Sequence, residues 1–334
     1  MCAAKVAAFH DIPQSVAVNE AEVIERLRRL ATHPGARDLR DDAALLDGLV
    51  ITHDSIAEGV HFLPFDPPAS VGWKLVASNL SDLAAKGAEP VGALLSLALS
   101  DGDWDRAFLD GIEAACESYG LPLIGGDTIA LPEGAPRVYG LTAIGRAGSA
   151  TPDRSGGGEG DRLWLAGSVG DAALGLELLQ DNAAASGQLV ETYRRPIPLL
   201  QMGQALAPLA TAMMDVSDGL LLDLERLCRA SGCGAEIDLD SLPLSRAFIA
   251  ERGQDRAARL FAATGGDDYA LLAALPPDLD PLSLSLPQQP TLTPIGCLAA
   301  GSEITLRDRD GSVPLPESLG YEHCTQLPPM GDRP

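Results

Sequence analysis

Six acidic segments border the apolar stretches of this chain: Arg40-Asp41-Asp42, His53-Asp54, Ser81-Asp82, Gly125-Gly126-Asp127, Asp215-Val216-Ser217-Asp218-Gly219 and Gly265-Gly266-Asp267-Asp268. A carboxylate is costly to leave in apolar surroundings unless a partner neutralises it. Aspartates repeated at expected strand ends therefore point to one site that collects them around cations. Mg²⁺ suits such a site, because it takes oxygen ligands and commonly binds through one or two carboxylates together with phosphate oxygens and water. Asp42, Asp54, Asp82, Asp127, Asp215 and Asp218 could share several such ions along a triphosphate.

The glycines have a separate role. Gly125-Gly126 and Gly265-Gly266 let backbone approach a phosphate closely or turn through positive φ before the aspartates that follow. Neither is a P-loop, since no G-x-x-x-x-G-K-[ST] run is present, and there is no dinucleotide fingerprint or protein-kinase signature set. Taken singly, each motif also reads as an ordinary capped turn. Asp82 is the exception, because it falls inside a helical pattern instead of at its start.

These residues need elements to hold them. Asn19 and Glu22 resemble a capping box ahead of a helix that runs to about Leu30, following an extension over residues 1–18. Ala43 to Leu46 and Leu49 to Thr52 read as two strands, with Asp41-Asp42 before the first and Asp54 after the second. Ala69 to Ala85 reads as a helix whose polar stripe carries Lys74, Ser78 and Asp82. Val91 to Leu99 predicts a strand and Trp104 to Tyr119 a helix. Leu121 to Ile124 predicts a short strand leading into a turn at Gly125-Gly126-Asp127-Thr128, and Arg137 to Ile144 another strand with Arg146 at its end. Residues 151–160, rich in glycine, mark a boundary. Beyond it come a strand at Arg162 to Ala166, helices at Ala172 to Leu179 and Leu199 to Ala210, and the Asp215–Gly219 turn leading into a helix through Leu227. A strand at Tyr269 to Leu275 and a hairpin around Asp310-Gly311 follow. The alternation predicts an α/β chain with α+β layers in two domains, 19–150 and 151–326.

At 334 residues, with 47 acidic against 24 basic side chains and a formal charge of −23, the chain lacks the basic footprint that nucleic acid requires. Its six cysteines form no C-x-x-C pair, which predicts reduced thiols in a cytoplasmic protein. No run is long enough to predict a membrane span.

In this order the motifs resemble the thiamine-monophosphate kinase family, part of a superfamily with aminoimidazole ribonucleotide synthetase and selenophosphate synthetase. The resemblance extends over residues 19–325 and includes Asp41-Asp42-Ala43-Ala44, Gly59-Val60-His61-Phe62, Asn79-Leu80-Ser81-Asp82-Leu83-Ala84-Ala85, Gly125 to Thr128, Asp215 to Leu220 and Gly265 to Tyr269. It implies transfer of the ATP γ-phosphoryl group to thiamine monophosphate with Mg²⁺, directly and without a phosphoenzyme. It implies metal ligands at Asp42, Thr52 or His53, Asp54, Asp82, Asp127, Asp215 and Asp218, with ATP contacts at Gly126, Arg146 and Ser217. Around the thiamine substrate it places His61, Asp267 and Tyr321. It further implies a two-domain fold that dimerises through the N-terminal sheets.

Each of the last residues also has a plainer reading: Arg146 as a surface ion-pair partner, His61 as a loop residue, Asp267 as the anchor of a glycine turn, Tyr321 as packing. The chain departs from the family pattern at Arg40, where glycine is usual, at Asp267 in place of glutamate, at Thr52-His53-Asp54 in place of an S-T-D-like segment, and at Leu199, where an arginine often makes a phosphate or interdomain contact. The N-terminal G-E-F segment is absent. Phosphoryl transfer to another small phosphorylated metabolite, or a non-catalytic nucleotide-binding role, would use the same motifs.

Overall fold

Period-two apolar segments and longer helical ones assemble into two mixed sheets. A computed structural model describes residues 20–283 and 291–323. The amino-terminal extension, Asn19, Cys2 and Cys324 lie outside the described residues.

The first unit contains α1 (Glu20–Arg28), β1 (Ala44–Leu46), β2 (Leu49–Ala57), α2 (Pro68–Ala85), β3 (Glu89–Leu99), α3 (Gly102–Tyr119), β4 (Leu123–Ala130) and β5 (Val138–Arg146). Its strands lie in the order β1-β2-β5-β3-β4. The second unit contains β6 (Arg162–Ala166), α4 (Asp171–Asp181), α5 (Gln188–Arg194), α6 (Leu200–Leu206), β7 (Ala212–Val216), α7 (Leu220–Ser231), β8 (Gly234–Asp238), α8 (Arg246–Arg252), α9 (Arg256–Thr264), β9 (Ala270–Leu275), β10 (Leu292–Ala299), β11 (Ile304–Asp308) and β12 (Gly311–Val313). Its sheet runs β12-β11-β8-β10-β6-β9-β7. The expected α/β class is thus observed.

Helix α2 positions most of the chemistry. Proline at its first turn suits a position whose N–H needs no helical partner. Leu75, Leu80 and Leu83 are fully buried against the first sheet, each contributing roughly 1.5–3 kcal/mol. Ala84 and Ala85 instead pack against Trp164, Met202, Leu206 and Met213 of the second unit. Small residues at the end of the helix let it lie close to both units. Leu199 packs against this second cluster, so an apolar contact stands where the family often has arginine.

Two expected boundaries move. Strand β2 continues through Asp54, which pairs with Leu141 and donates its N–H to Asn79 Oδ1 at 3.0 Å. Alternation sends Thr52 and Ile56 toward the core and His53 and Ser55 to the opposite face, so the polar residues do not end the strand. The Gly125-Gly126-Asp127 segment lies inside β4 and is not a turn; it pairs in parallel with Leu94, Leu95 and Ser96. Backbone ladder bonds outweigh the turn preference of paired glycines here. The helix expected over Leu199 to Ala210 is shorter, and α5 was not anticipated.

Candidate active site

Carboxylates from both units converge around α2. Asp42 precedes β1, Asp54 lies on β2, Asp82 on α2, and Asp215 near the end of β7. One carboxylate oxygen each from Asp42, Asp82 and Asp215 lie within 4.8 Å of one another. The Thr52 hydroxyl donates to Asp82 Oδ2, and its oxygen lies 3.3 Å from the Asp42 carbonyl oxygen. Ser81 Oγ donates to Asp215 Oδ2 at 2.7 Å.

Burial, followed by the charges of Asp218 and Asp42, pushes Asp54 up to about 6. Asp82 is raised well above the carboxylate range by burial, then by Asp54, Asp215 and Asp42. Asp215 is raised likewise by burial and then Asp42, against the hydrogen bond from Ser81. Such groups repel one another as anions, and a shared cation removes that repulsion.

Asp42 differs because it has its own cations. Burial opposes its ionisation, but Arg154 and Lys86 outweigh it and hold the carboxyl below its usual range. Lys86 Nζ lies 2.5 Å from Asp41 Oδ1 and 2.7 Å from Asp42 Oδ2. It also donates to the Met213 carbonyl at 3.0 Å, and Arg37 pairs with the other oxygen of Asp41. Asp42 Oδ2 is close to Lys86 yet outside hydrogen-bond alignment, leaving a buried anionic oxygen without an aligned donor. This hard-oxygen donor set fits Mg²⁺. Arg40, the departure before the aspartate pair, has φ −112°, a conformation that needs no glycine.

The Asp215–Gly219 segment is shaped by Asp223, one turn into α7. Its Oδ2 accepts the N–H groups of Ser217 and Asp218, both at 3.0 Å. Arg226 joins Asp223 Oδ1 at 2.8 Å to Asp218 Oδ2 at 2.5 Å. The neighbouring glycine loop comes close enough that a Cβ at Gly266 would lie 2.7 Å from the Ser217 carbonyl oxygen. Asp268, at the end of that loop, accepts from Gly170 N at 2.7 Å and caps α4, a structural task.

Beside this loop lie the three residues expected around the substrate. Asp267 has φ +66° and its N–H donates to the Ser217 carbonyl at 2.7 Å. Tyr269, with φ +51°, donates its hydroxyl to Asp267 Oδ1 at 3.1 Å. A tyrosine in this region carries backbone strain, which the surrounding packing must sustain. His61 Nδ1 accepts from the Ala57 N–H at 3.1 Å, which assigns the proton of the neutral ring to Nε2. Burial, above all, holds its pKa below the usual value. His323 bridges His61 and Tyr321, with ring centroids 5.5 and 5.0 Å away. The Tyr321 N–H donates to the Asp218 carbonyl at 2.9 Å, joining this aromatic row to the acidic loop.

Other expected residues lie apart. Asp127 shares a cross-sheet row with Ser96, Gly140 and Ser55, on the face opposite Thr52 and the core leucines. Strand β4 is exposed along its length. Gly126 admits no side chain there, since a Cβ would collide with the Leu95 carbonyl. His53 occupies the same outer face, where Nδ1 lies 2.9 Å from Thr142 Oγ1. Arg146 ends β5 in an exposed position between Leu49 and Glu89.

Several residues of the site lie outside the motifs and the polar stripe read from the sequence: Lys86, Arg154, Asp223 and His323. Only Asp223 had a local signal, an acidic side chain in the first turn after Asp218-Gly219. The partners of Lys86 and Arg154 are separated by long stretches of chain.

Comparison with known proteins agrees with this geometry. Residues 40–147 match the AIR synthase related protein N-terminal domain, and residues 158–304 match the corresponding C-terminal domain. Thiamine-monophosphate kinase of Salmonella typhimurium is 37% identical over 320 residues, covering 91% of this chain and 96% of the relative. A structure of AaThiL complexed with AMPPCP and TMP superposes with a TM-score of 0.79 at 28% identity, covering 91% of this chain and 97% of that one. Thiamine-monophosphate kinase from Stenotrophomonas maltophilia gives 0.70 at 36% identity, over 87% and 97% of the two chains. With both sheet units matched in order and the relatives spanned almost end to end, the chain belongs to the thiamine-monophosphate kinase family of AIR synthase related proteins.

Proposed function

We infer that the protein transfers the γ-phosphoryl group of ATP to the phosphate of thiamine monophosphate, giving thiamine diphosphate and ADP. The observation that carries this reading is the convergence of Asp42, Asp82 and Asp215 beside the His61–Asp267 region, in a chain of this family. An acceptor phosphate oxygen is already ionised near neutral pH, so no general base is needed. It forms a bond to the γ-phosphorus while the bond from that phosphorus to the β,γ-bridging oxygen breaks. No aspartate is assigned as a nucleophile. The difficulty is bringing two polyanions together, and positioning with charge neutralisation meets it.

Asp42, Asp54, Asp82, Asp215 and Asp218, with the Thr52-His53 segment, are assigned to hold several Mg²⁺ ions, which supply the neutralising charge. Gly126, Arg146 and Ser217 are assigned to ATP, and His61, Asp267 and Tyr321 to the thiamine moiety. Residues 19–150 form the ATP-binding and dimerisation domain in this reading, and residues 151–326 complete the acceptor site.

A homodimer is supported by β4, an edge strand whose exposed Leu123, Ile124 and Ile129 stand near the exposed Leu94. Exposed apolar edges favour pairing with another chain. Asp127 cannot reach its own cluster through its sheet, so as a ligand it serves the cluster of a second copy. The net charge of −23 disfavours nucleic acid as a partner. No helix among the described residues is long and apolar enough to cross a membrane.

The test is incubation with ATP, Mg²⁺ and thiamine monophosphate, quantifying thiamine diphosphate and ADP. Equal formation of both is expected; ADP without thiamine diphosphate would reject the acceptor assignment.

A further inference from the structure

Lys74 belongs to none of the aspartate or glycine motifs, yet its side chain is only 3% exposed. It stands on α2 two turns before Asp82. Its ammonium donates to Asp267 Oδ2 at 2.8 Å and to the His61 carbonyl at 2.9 Å, and lies 4.0 Å from the centroid of the Tyr193 ring. An ammonium has three donors. Two meet oxygens, and the ring face provides a further favourable contact for the cation. Lys74 is therefore committed to protein groups and is poorly disposed to take a phosphate.

Those groups come from both units. His61 follows β2, Tyr193 lies on α5, and Asp267 lies in the glycine loop before β9. The Asp267 carboxylate is held at both oxygens, by Lys74 and by the Tyr269 hydroxyl, while its backbone is fixed in a left-handed conformation. A carboxylate so restrained can present a fixed negative edge to a cationic ring.

We propose that Lys74 is a positioning residue for acceptor recognition, orienting the Asp267 carboxylate and the His61 turn toward the cationic organic part of the acceptor. This rests on the assignment of Asp267 and His61 to the acceptor site. It separates two duties on one helix: Lys74 organises recognition of the organic moiety, whereas Asp82 faces the phosphate chemistry.

The experiment is calorimetric titration of the full chain, with Mg²⁺ present, using thiamine monophosphate and AMPPCP as separate ligands. The proteins compared are the unaltered chain, Asp267→Asn, Lys74→Met and the double variant, with Lys74→Gln substituting if Lys74→Met does not fold. Thiamine monophosphate affinity is expected to fall roughly tenfold or more in each single variant, and AMPPCP affinity to change by less than about twofold. The double variant is expected to bind no more weakly than the weaker single one, because both changes remove one coupled unit. Equal losses for both ligands would make Lys74 a general structural tie and overturn the proposal. Additive losses in the double variant would overturn it too. If Asp267→Asn weakens thiamine monophosphate binding and the Lys74 variant does not, the Lys74 proposal alone fails. If Asp267→Asn binds it normally, the acceptor-site assignment fails and the Lys74 proposal with it.

Discussion

Ser81 Oγ donates a 2.7 Å hydrogen bond to Asp215 Oδ2, joining the central helix of one unit to the edge strand of the other at a fully buried point. Replacing Ser81 by alanine leaves that oxygen without its donor, at a cost of about 1–3 kcal/mol. The hydroxyl also favours the ionised form of Asp215, so Mg²⁺ affinity is expected to fall alongside stability. Urea unfolding combined with a Mg²⁺ titration checks both; unchanged values in the two assays would remove Ser81 from the site.

Lys86 lies between Asp41 and Asp42 with a side-chain exposure of 1%. Its replacement by methionine leaves two buried carboxylates short of their compensating charge, and destabilisation of about 3–5 kcal/mol is expected. Adding Asp41→Asn removes one of those charges and should restore part of the loss. Denaturant midpoints of the single and double variants measure this, and a double variant less stable than Lys86→Met would contradict the charge-balance account.

The raised carboxylates give stability a definite pH dependence. For Asp54 the folded value is about 6 against an ordinary 3.8. Its stabilising contribution is therefore fully present below that ordinary value and is lost as pH rises through the folded one. Asp82 and Asp215, also raised, act in the same direction, whereas the lowered Asp42 contributes above the ordinary value and loses that contribution only in stronger acid. Mg²⁺ binds the ionised forms and offsets the loss. Its effect on melting temperature is expected to be larger near pH 8 than near pH 5, with about 2.7 kcal/mol available at a hundredfold excess over Kd. An equal increment at both pH values would argue against a site built from these acids.

Asp127 and Asp215 lie on opposite sides of the first sheet. If Asp127 serves a second copy, Asp127→Asn and Asp215→Asn should each abolish turnover alone and complement when unfolded and refolded together. Random pairing gives half mixed dimers with one intact site each, so about a quarter of the activity should return. No recovery from a mixture shown to contain mixed dimers would place Asp127 outside the partner's site.

The sequence was most readable where chemistry and periodicity are local. The apolar pattern of residues 69–85 outlined α2 almost to its ends, and Asp82 stood out as an acid inside it. Recurrent aspartates likewise marked the cluster now seen at Asp42, Asp82 and Asp215. The Gly125-Gly126-Asp127 strand was misread as a turn because the ladder bonds from Leu94, Leu95 and Ser96 are nonlocal. Arg154, which neutralises Asp42 across 112 positions of chain, had no local signature at all. Lys86 carries no motif of its own, yet it is fully buried at the end of α2. Periodicity reports which face is apolar; it does not report which distant charge will be folded against that face.

Helix α2 also sets a length. Eight residues separate Lys74 from Asp82, about 12 Å along a helix axis, and burial on both sides prevents that spacing from adjusting easily. On the proposed roles of Lys74 and Asp82, the helix sets the spacing between the acceptor's organic ring and its phosphate. An acceptor whose charged ring and phosphate are spaced differently can satisfy only one of the two. On that proposal, selectivity for molecular length resides in the core of the fold, where a change in a surface loop cannot readily rewrite it.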